Sequence, residues 1–203
     1  MLDGRYGPKL EKHWNVLGDK LARAGFSPNA VTLAGLALVA AAAAAYLLHR
    51  SDLVFGVCLA LAFAFDGLDG AVARASGRAT RFGGYLDAVV DRYQEIVAFA
   101  AIAHVHDLWP AAFLAMSGTL LTSYNKARVA LEIPVVNTAW PDLIERLERI
   151  VILVALLLAE GAWSGSGGIL APGLIVLGVL SHATAVQRFF RARGRLLRAD
   201  REG

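Results

Sequence analysis

Six apolar runs dominate this chain, and a soluble fold of its size has no use for so many. Ala30–Leu48, Leu53–Phe65, Leu108–Tyr124, Ile150–Ala159 and Ile169–Val186 are charge-poor, and Tyr85–Val105 is apolar apart from Asp87, Asp91, Arg92 and Glu95. With their flanks, several reach the roughly 20 residues that a membrane helix requires. In lipid each span must satisfy its own backbone polar groups, which a helix does and an open sheet does not. The expected fold is all-α: a polytopic membrane protein with six transmembrane helices, in one domain over 1–203. Within it, 1–26 is expected to form an amphipathic juxtamembrane helix, 27–190 a six-helix bundle and 191–203 a basic tail.

The N-terminal expectation rests on Leu2, Tyr6, Leu10, Trp14, Leu17 and Leu21, which recur every three or four residues among charged neighbours. Such a stripe suits a helix lying on an anionic membrane face, or one packed against the bundle. Ser27-Pro28-Asn29 ends it, with Ser27 placed to cap the next helix and Pro28 at its first position. No removable secretory signal is expected, because the first apolar run begins only near Ala30. Cys58 reads as packing. His104 and His106 read as surface residues near a loop, and Gly161–Gly168 as a flexible loop. Trp109, Trp140 and Trp163 fall near span ends, where amphipathic rings favour the interface.

Basic residues set the orientation. Arg5, Lys9, Lys12, Lys20, Arg23, Arg74, Arg78, Arg81, Lys126, Arg128, Arg146, Arg149 and the arginines from 188 to 201 all fall on one side of a six-span topology. The other side receives Arg50. By the positive-inside rule both termini are cytoplasmic in the cell membrane.

Against this apolar background stand Asp66, Asp69, Asp87 and Asp91. An acid near a helix centre costs about 2.5–3.5 kcal/mol, so four are retained only if they face a polar cavity or hold cations. Asp66, Gly70 and Arg74 step by four residues, as do Gly83, Asp87 and Asp91, so each set is expected on one stripe of one helix. A short connection makes the two helices antiparallel neighbours, and the acids converge. Hard carboxylate oxygens suit Mg²⁺, Mn²⁺ or Ca²⁺. Two such ions would clamp a pyrophosphate during displacement at phosphorus. The plainer alternative is structural ion pairing with Arg74, Arg78, Arg81 and Arg92, which leaves the glycines unexplained.

Asp66-x2-Asp69-Gly70-x2-Ala73-Arg74-x8-Gly83-x3-Asp87-x3-Asp91 resembles the signature of the CDP-alcohol phosphotransferases at every defining position. The resemblance implies transfer of a substituted phosphate from a CDP-linked lipid donor to a small polar alcohol, releasing CMP. It implies that Asp66, Asp69 and Asp87 bind two divalent cations (Mg²⁺ or Mn²⁺), with Asp91 at the second ion and acting as general base. It further implies that Gly70, Ala73 and Gly83 admit the cytidine, that Arg74 meets donor phosphate, and that Asn29 and Thr32 of the Ser-Pro-Asn-x2-Thr stretch approach the nucleotide. A homodimer is also implied.

For the acceptor, Ser123 with Lys126 and Arg146 with Arg149 are i, i+3 pairs, and with Arg188 and Arg191 they can build a cationic pocket beside the aspartates. Guanidinium groups bind phosphate in a fork geometry, so a phosphorylated acceptor fits. The alternative is positive-inside charge without a ligand. Ser-x2-Lys-x-Arg (Ser123 to Arg128) and Glu-Arg-x-Glu-Arg (Glu145 to Arg149) are similar to elements of the phosphatidylinositol-phosphate and archaetidylinositol-phosphate synthases, although Trp140-Pro141-Asp142 stands where that branch is glycine-rich. Inositol phosphate is the expected acceptor, with glycerol 3-phosphate as the alternative. From another class, a transporter with an intramembrane acidic site stays open. The basic tail is expected to meet anionic lipid and no nucleic acid.

Overall fold

The computed structural model describes residues 14–133, 142–163 and 168–202, and every regular element among them is an α-helix. Helix α1 covers 14–23, followed by α2 (Pro28–His49), α3 (Asp52–Asp66), α4 (Leu68–Ser76), α5 (Arg81–His106), α6 (Trp109–Val129), α7 (Arg146–Ala162) and α8 (Leu170–Glu202). Three stretches are long and apolar enough to cross a membrane: Pro28–His49, Asp52–Ser76 and Leu170–Arg201. The six longest helices close into a ring, α2–α3–α7–α8–α6–α5, each packed against the next. Its interior is aliphatic, with Val39, Leu59, Ile102, Leu157 and Leu174 fully buried. Its outside is apolar too. Leu38, Leu61, Phe113 and Val176 are exposed, far more greasy surface than a water-facing protein tolerates.

Local chemistry fixes the helix ends. Ser27 accepts from the Ala30 N–H and Pro28 opens α2, as expected; Thr80 accepts from the Gly83 N–H at the start of α5. Glu145 and Glu148 form a reciprocal capping box on α7, so both glutamates of the Glu-Arg-x-Glu-Arg element have a structural duty. Helix α8 runs unbroken to Glu202, so the basic stretch continues the last helix.

Three expectations need correction. Asp66 and Gly70 do not share one uninterrupted helix: Gly67, with φ −61° and ψ −4°, separates the end of α3 from the start of α4. Gly161 belongs to α7 and not to a loop. A Cβ on it would lie 2.4 Å from the Leu53 backbone nitrogen, so its lack of a side chain lets α7 meet the start of α3. His106 is no loose surface residue. Its Nε2 lies 2.7 Å from Asp52 Oδ1 and 2.9 Å from the Tyr46 hydroxyl, which also donates to Asp52. That cluster ties α2, α3 and α5 at the end away from the aspartates.

Trp14 and Leu21 of α1 pack with Leu68 and Val72 of α4, and Gly18 sits so near Ala71 that an added Cβ would come within 2.7 Å. Val16 and Leu17 remain exposed. Leu2, Tyr6 and Leu10 of the expected amphipathic stripe, and Trp140, lie outside the described residues.

Candidate active site

The acids gather where α3 ends, α4 begins and α5 runs past them. Asp66 is the last residue of α3, Asp69 lies in the first turn of α4, and Asp87 and Asp91 are successive turns of α5. Asp66, Asp69 and Asp87 each offer an oxygen within 4.8 Å of the other two. At that separation two ionised carboxylates repel by about 3 kcal/mol even at an effective dielectric of about 20. Among the described residues no lysine or arginine forms an ion pair with Asp69 or Asp87; of the four aspartates, Arg146 and Arg92 reach Asp66 and Asp91. Three convergent hard-oxygen donors with so little countercharge fit a divalent cation such as Mg²⁺ or Mn²⁺.

Neighbours hold each acid in place. Asp69 accepts from the Thr32 hydroxyl at 2.7 Å and from the Gly70 N–H at 2.5 Å. Asp66 accepts from Gln94 Nε2 at 2.9 Å. Gln94 is fully buried, and it fits there because α2 carries Gly35, whose hypothetical Cβ would stand 2.9 Å from Asp66 Oδ1 and 3.1 Å from Gln94 Nε2. Asp91 is engaged differently. Arg146 Nη2 lies 2.6 Å from Asp91 Oδ1, 3.3 Å from Asp66 Oδ2 and 3.2 Å from Gln94 Oε1. Arg92 Nη2 lies 3.2 Å from Asp91 Oδ2 and its other terminal nitrogen donates to Ser123.

Two cavities flank the acids. A smaller one of about 290 Å³ is lined by Asn29, Thr32, Asp69, Gly70, Ala73, Arg74, Gly83 and Asp87, with Arg78 and Thr80. Every residue expected to meet the CDP-linked donor is therefore brought together on one wall. Arg74 donates to Asn15 of α1 at 3.3 Å, so the N-terminal helix helps to set it. A larger cavity of about 920 Å³ is lined by Asp87, Asp91, Arg92, Ser123, Lys126, Arg146, Arg149 and Arg188. The expected acceptor group converges there except Arg191, which is not among its lining residues and has Nη1 3.5 Å from Asp142 Oδ1. Arg188 bonds Asp142 as well and donates to the Thr122 carbonyl at 2.5 Å.

Sequence reasoning missed Gln94, Glu95, Gly35 and Asp142. Glu95 continued the four-residue ladder from Asp87 and Asp91 and was legible on that ground. Gly35 and Asp142 carried no local signal.

Apolar helices, a convergent carboxylate group and a cationic cavity beside it define a membrane-embedded transferase of phosphorylated groups. The chain belongs to the CDP-alcohol phosphatidyltransferase family, whose model matches residues 26–185. It is similar to the archaetidylinositol phosphate synthase of Pyrococcus horikoshii, with 30% identity over 93% of this chain and 95% of the relative. It is also similar to the phosphatidylinositol phosphate synthase of Mycobacteroides abscessus, with 37% identity over 88% and 83% of the two chains. The crystal structure of Mycobacterium tuberculosis phosphatidylinositol phosphate synthase with CDP-DAG bound superposes with a TM-score of 0.74, at 28% identity, over 88% of this chain and 92% of that one. The same mycobacterial enzyme has been solved in complex with manganese and citrate. Membership of this enzyme family sets aside the transporter reading.

Proposed function

We propose that this chain moves a phosphatidyl-type group from a CDP-linked lipid, CDP-diacylglycerol or similar, to an inositol phosphate and releases CMP. The observation that carries this reading is Asp87, which lines both cavities. The glycine- and alanine-walled smaller cavity suits a nucleotide that must approach the backbone. The larger one, with five basic side chains and Ser123, suits a phosphate-bearing acceptor. The two substrates would then meet at the acids. A third, largely apolar cavity of about 770 Å³ between α3 and α7, lined by Phe63, Ile150, Val154 and Leu158 with Arg146 at its edge, suits the donor's lipid tails.

In this reading Asp66, Asp69, Asp87 and Asp91 hold two divalent cations, Mg²⁺ or Mn²⁺, which when bound offset charge on the donor pyrophosphate and the departing CMP. Asn29, Thr32, Gly70, Ala73 and Gly83 bind the cytidine side, and Arg74 meets donor phosphate. Ser123, Lys126, Arg146, Arg149 and Arg191 bind or flank the acceptor phosphate, with Arg188 beside them. Asp91 lines only the acceptor-side cavity of the two, which supports it as general base. It takes the acceptor hydroxyl proton while that oxygen attacks the lipid-bearing phosphorus. The bond between the two phosphates then breaks and CMP leaves with its electron pair. No residue of the chain becomes phosphorylated.

The same reading has one domain of six spans, α3 and α4 sharing one, with α1 on the membrane face and the termini and site on the cytoplasmic side. Two copies pair as a homodimer. The test is CMP release from CDP-diacylglycerol with Mn²⁺ or Mg²⁺ against inositol 1-phosphate, glycerol 3-phosphate, inositol and serine. Turnover with inositol 1-phosphate is expected, lowered about 10²–10⁴-fold by Asp91→Asn, the usual worth of a general base. Turnover with glycerol 3-phosphate alone replaces the acceptor; no turnover with any of the four defeats the reading.

A further inference from the structure

Behind the basic wall of the larger cavity lies a carboxylate that the scheme above does not use. Glu95 is 4% exposed, and neither of its oxygens has a hydrogen-bond partner. Its Oε1 lies 3.6 Å from Arg149 Nη2 and 3.7 Å from Arg146 Nε, just beyond hydrogen-bond range of both. The Nε atoms of Arg146 and Arg149 are likewise buried without a hydrogen bond. A buried carboxylate left this way is costly unless another arrangement satisfies it. One is close. Moving Arg146 by about 0.8 Å brings its Nε to an ordinary 2.9 Å from Glu95.

What keeps Arg146 from that seat is its grip on Asp66 and Asp91. Those two acids cannot serve both a guanidinium and divalent cations. Once they are committed to cations, the positive field that results disfavours Arg146 where it stands. The nearest remaining buried anion is Glu95.

We propose that Glu95 is a positioning residue: it receives Arg146 from Asp66 and Asp91 when these bind divalent cations, and holds Arg146 and Arg149 together as the acceptor's phosphate clamp. Cation binding and acceptor binding are thereby coupled through one arginine. The inference rests on the phosphorylated-acceptor reading, but its cation half does not depend on which acceptor is used.

The experiment uses the full-length detergent-solubilised chain as wild type, Glu95→Gln and Glu95→Asp. Free Mn²⁺ is titrated by electron paramagnetic resonance without substrates, and KM is measured separately for inositol 1-phosphate and CDP-diacylglycerol at Mn²⁺ concentrations that saturate each variant. Glu95→Gln is expected to raise the acceptor KM about 10-fold or more, in the range typical of groups that orient a binding residue, and to leave the donor KM within about twofold. It is also expected to weaken Mn²⁺ binding, because Arg146 then stays on the acids. Glu95→Asp keeps the charge and recovers most of both losses. Should Glu95→Gln fail to fold, Glu95→Asp carries the test through a smaller rise in acceptor KM. An unchanged acceptor KM and Mn²⁺ affinity, equal rises in both KM values, or an Asp variant no better than Gln overturns the proposal. If the wild type turns over no phosphorylated acceptor, the functional reading fails instead, and the Mn²⁺ titration still decides whether Glu95 competes for Arg146.

Discussion

Gly35→Ala adds a single methyl group, small in size but aimed at the centre of the site. The new Cβ would stand 2.9 Å from Asp66 Oδ1, where ordinary contact begins at 3.4 Å. The carboxylate must therefore retreat by about 0.5 Å, which stretches a good hydrogen bond towards its limit. Asp66 has nowhere easy to go: it is 3% exposed, its Oδ1 accepts from Gln94 and its Oδ2 faces Arg146. The bond at risk is from Gln94 to an ionised carboxylate, worth about 1.5–3 kcal/mol. That converts to a loss of roughly 10–150-fold in divalent-cation affinity, in line with the 10–100-fold usual when a ligand-orienting group is removed. Mn²⁺ titration by electron paramagnetic resonance measures it directly, and CMP release at high Mn²⁺ should recover. Gln94→Ala removes the same bond, so the double variant should cost little more than either single one. Affinity within about twofold of wild type, or fully additive losses, would refute the claim that Gly35 exists to admit the Gln94–Asp66 pair.

Two perturbations separate stability from chemistry. His106→Ala removes the contact that joins α5 to Asp52 and Tyr46 at the far end, and should lower stability by about 1–3 kcal/mol, read as an earlier thermal transition in detergent, with low-temperature CMP release unchanged. Gly161→Ala pushes a methyl into the Leu53 backbone, which cannot give way as a side-chain tip can. A destabilisation of about 1–3 kcal/mol is expected, and a variant as stable as wild type would show that α7 and α3 are not held this closely.

Much of the site was legible before any coordinates. Asn29, Thr32, Gly70, Ala73, Arg74 and Gly83 were implied as donor-side residues by the resemblance of their motifs to a family signature, and α2, α4 and α5 bring all six to one cavity. The Ser27 cap was legible from local residues. The Gly67 interruption was not, because a single glycine is tolerated within a continuous helix and only packing chooses otherwise. Arg146 was expected to face an acceptor, and it does line that cavity, yet its strongest partners are Asp66 and Asp91.

Chain chemistry alone settled that this protein is helical and apolar, and that its carboxylates belong to two adjoining segments, because backbone satisfaction in lipid and side-chain periodicity act over a few residues. Folding decided which charges neutralise which. Arg146 reaches Asp66 across 80 positions of sequence, and Asp142 meets Arg188 across 46, only because α7 and α8 close the ring against α3 and α6. Coulomb attraction depends on distance in space, and no spacing along the chain encodes that.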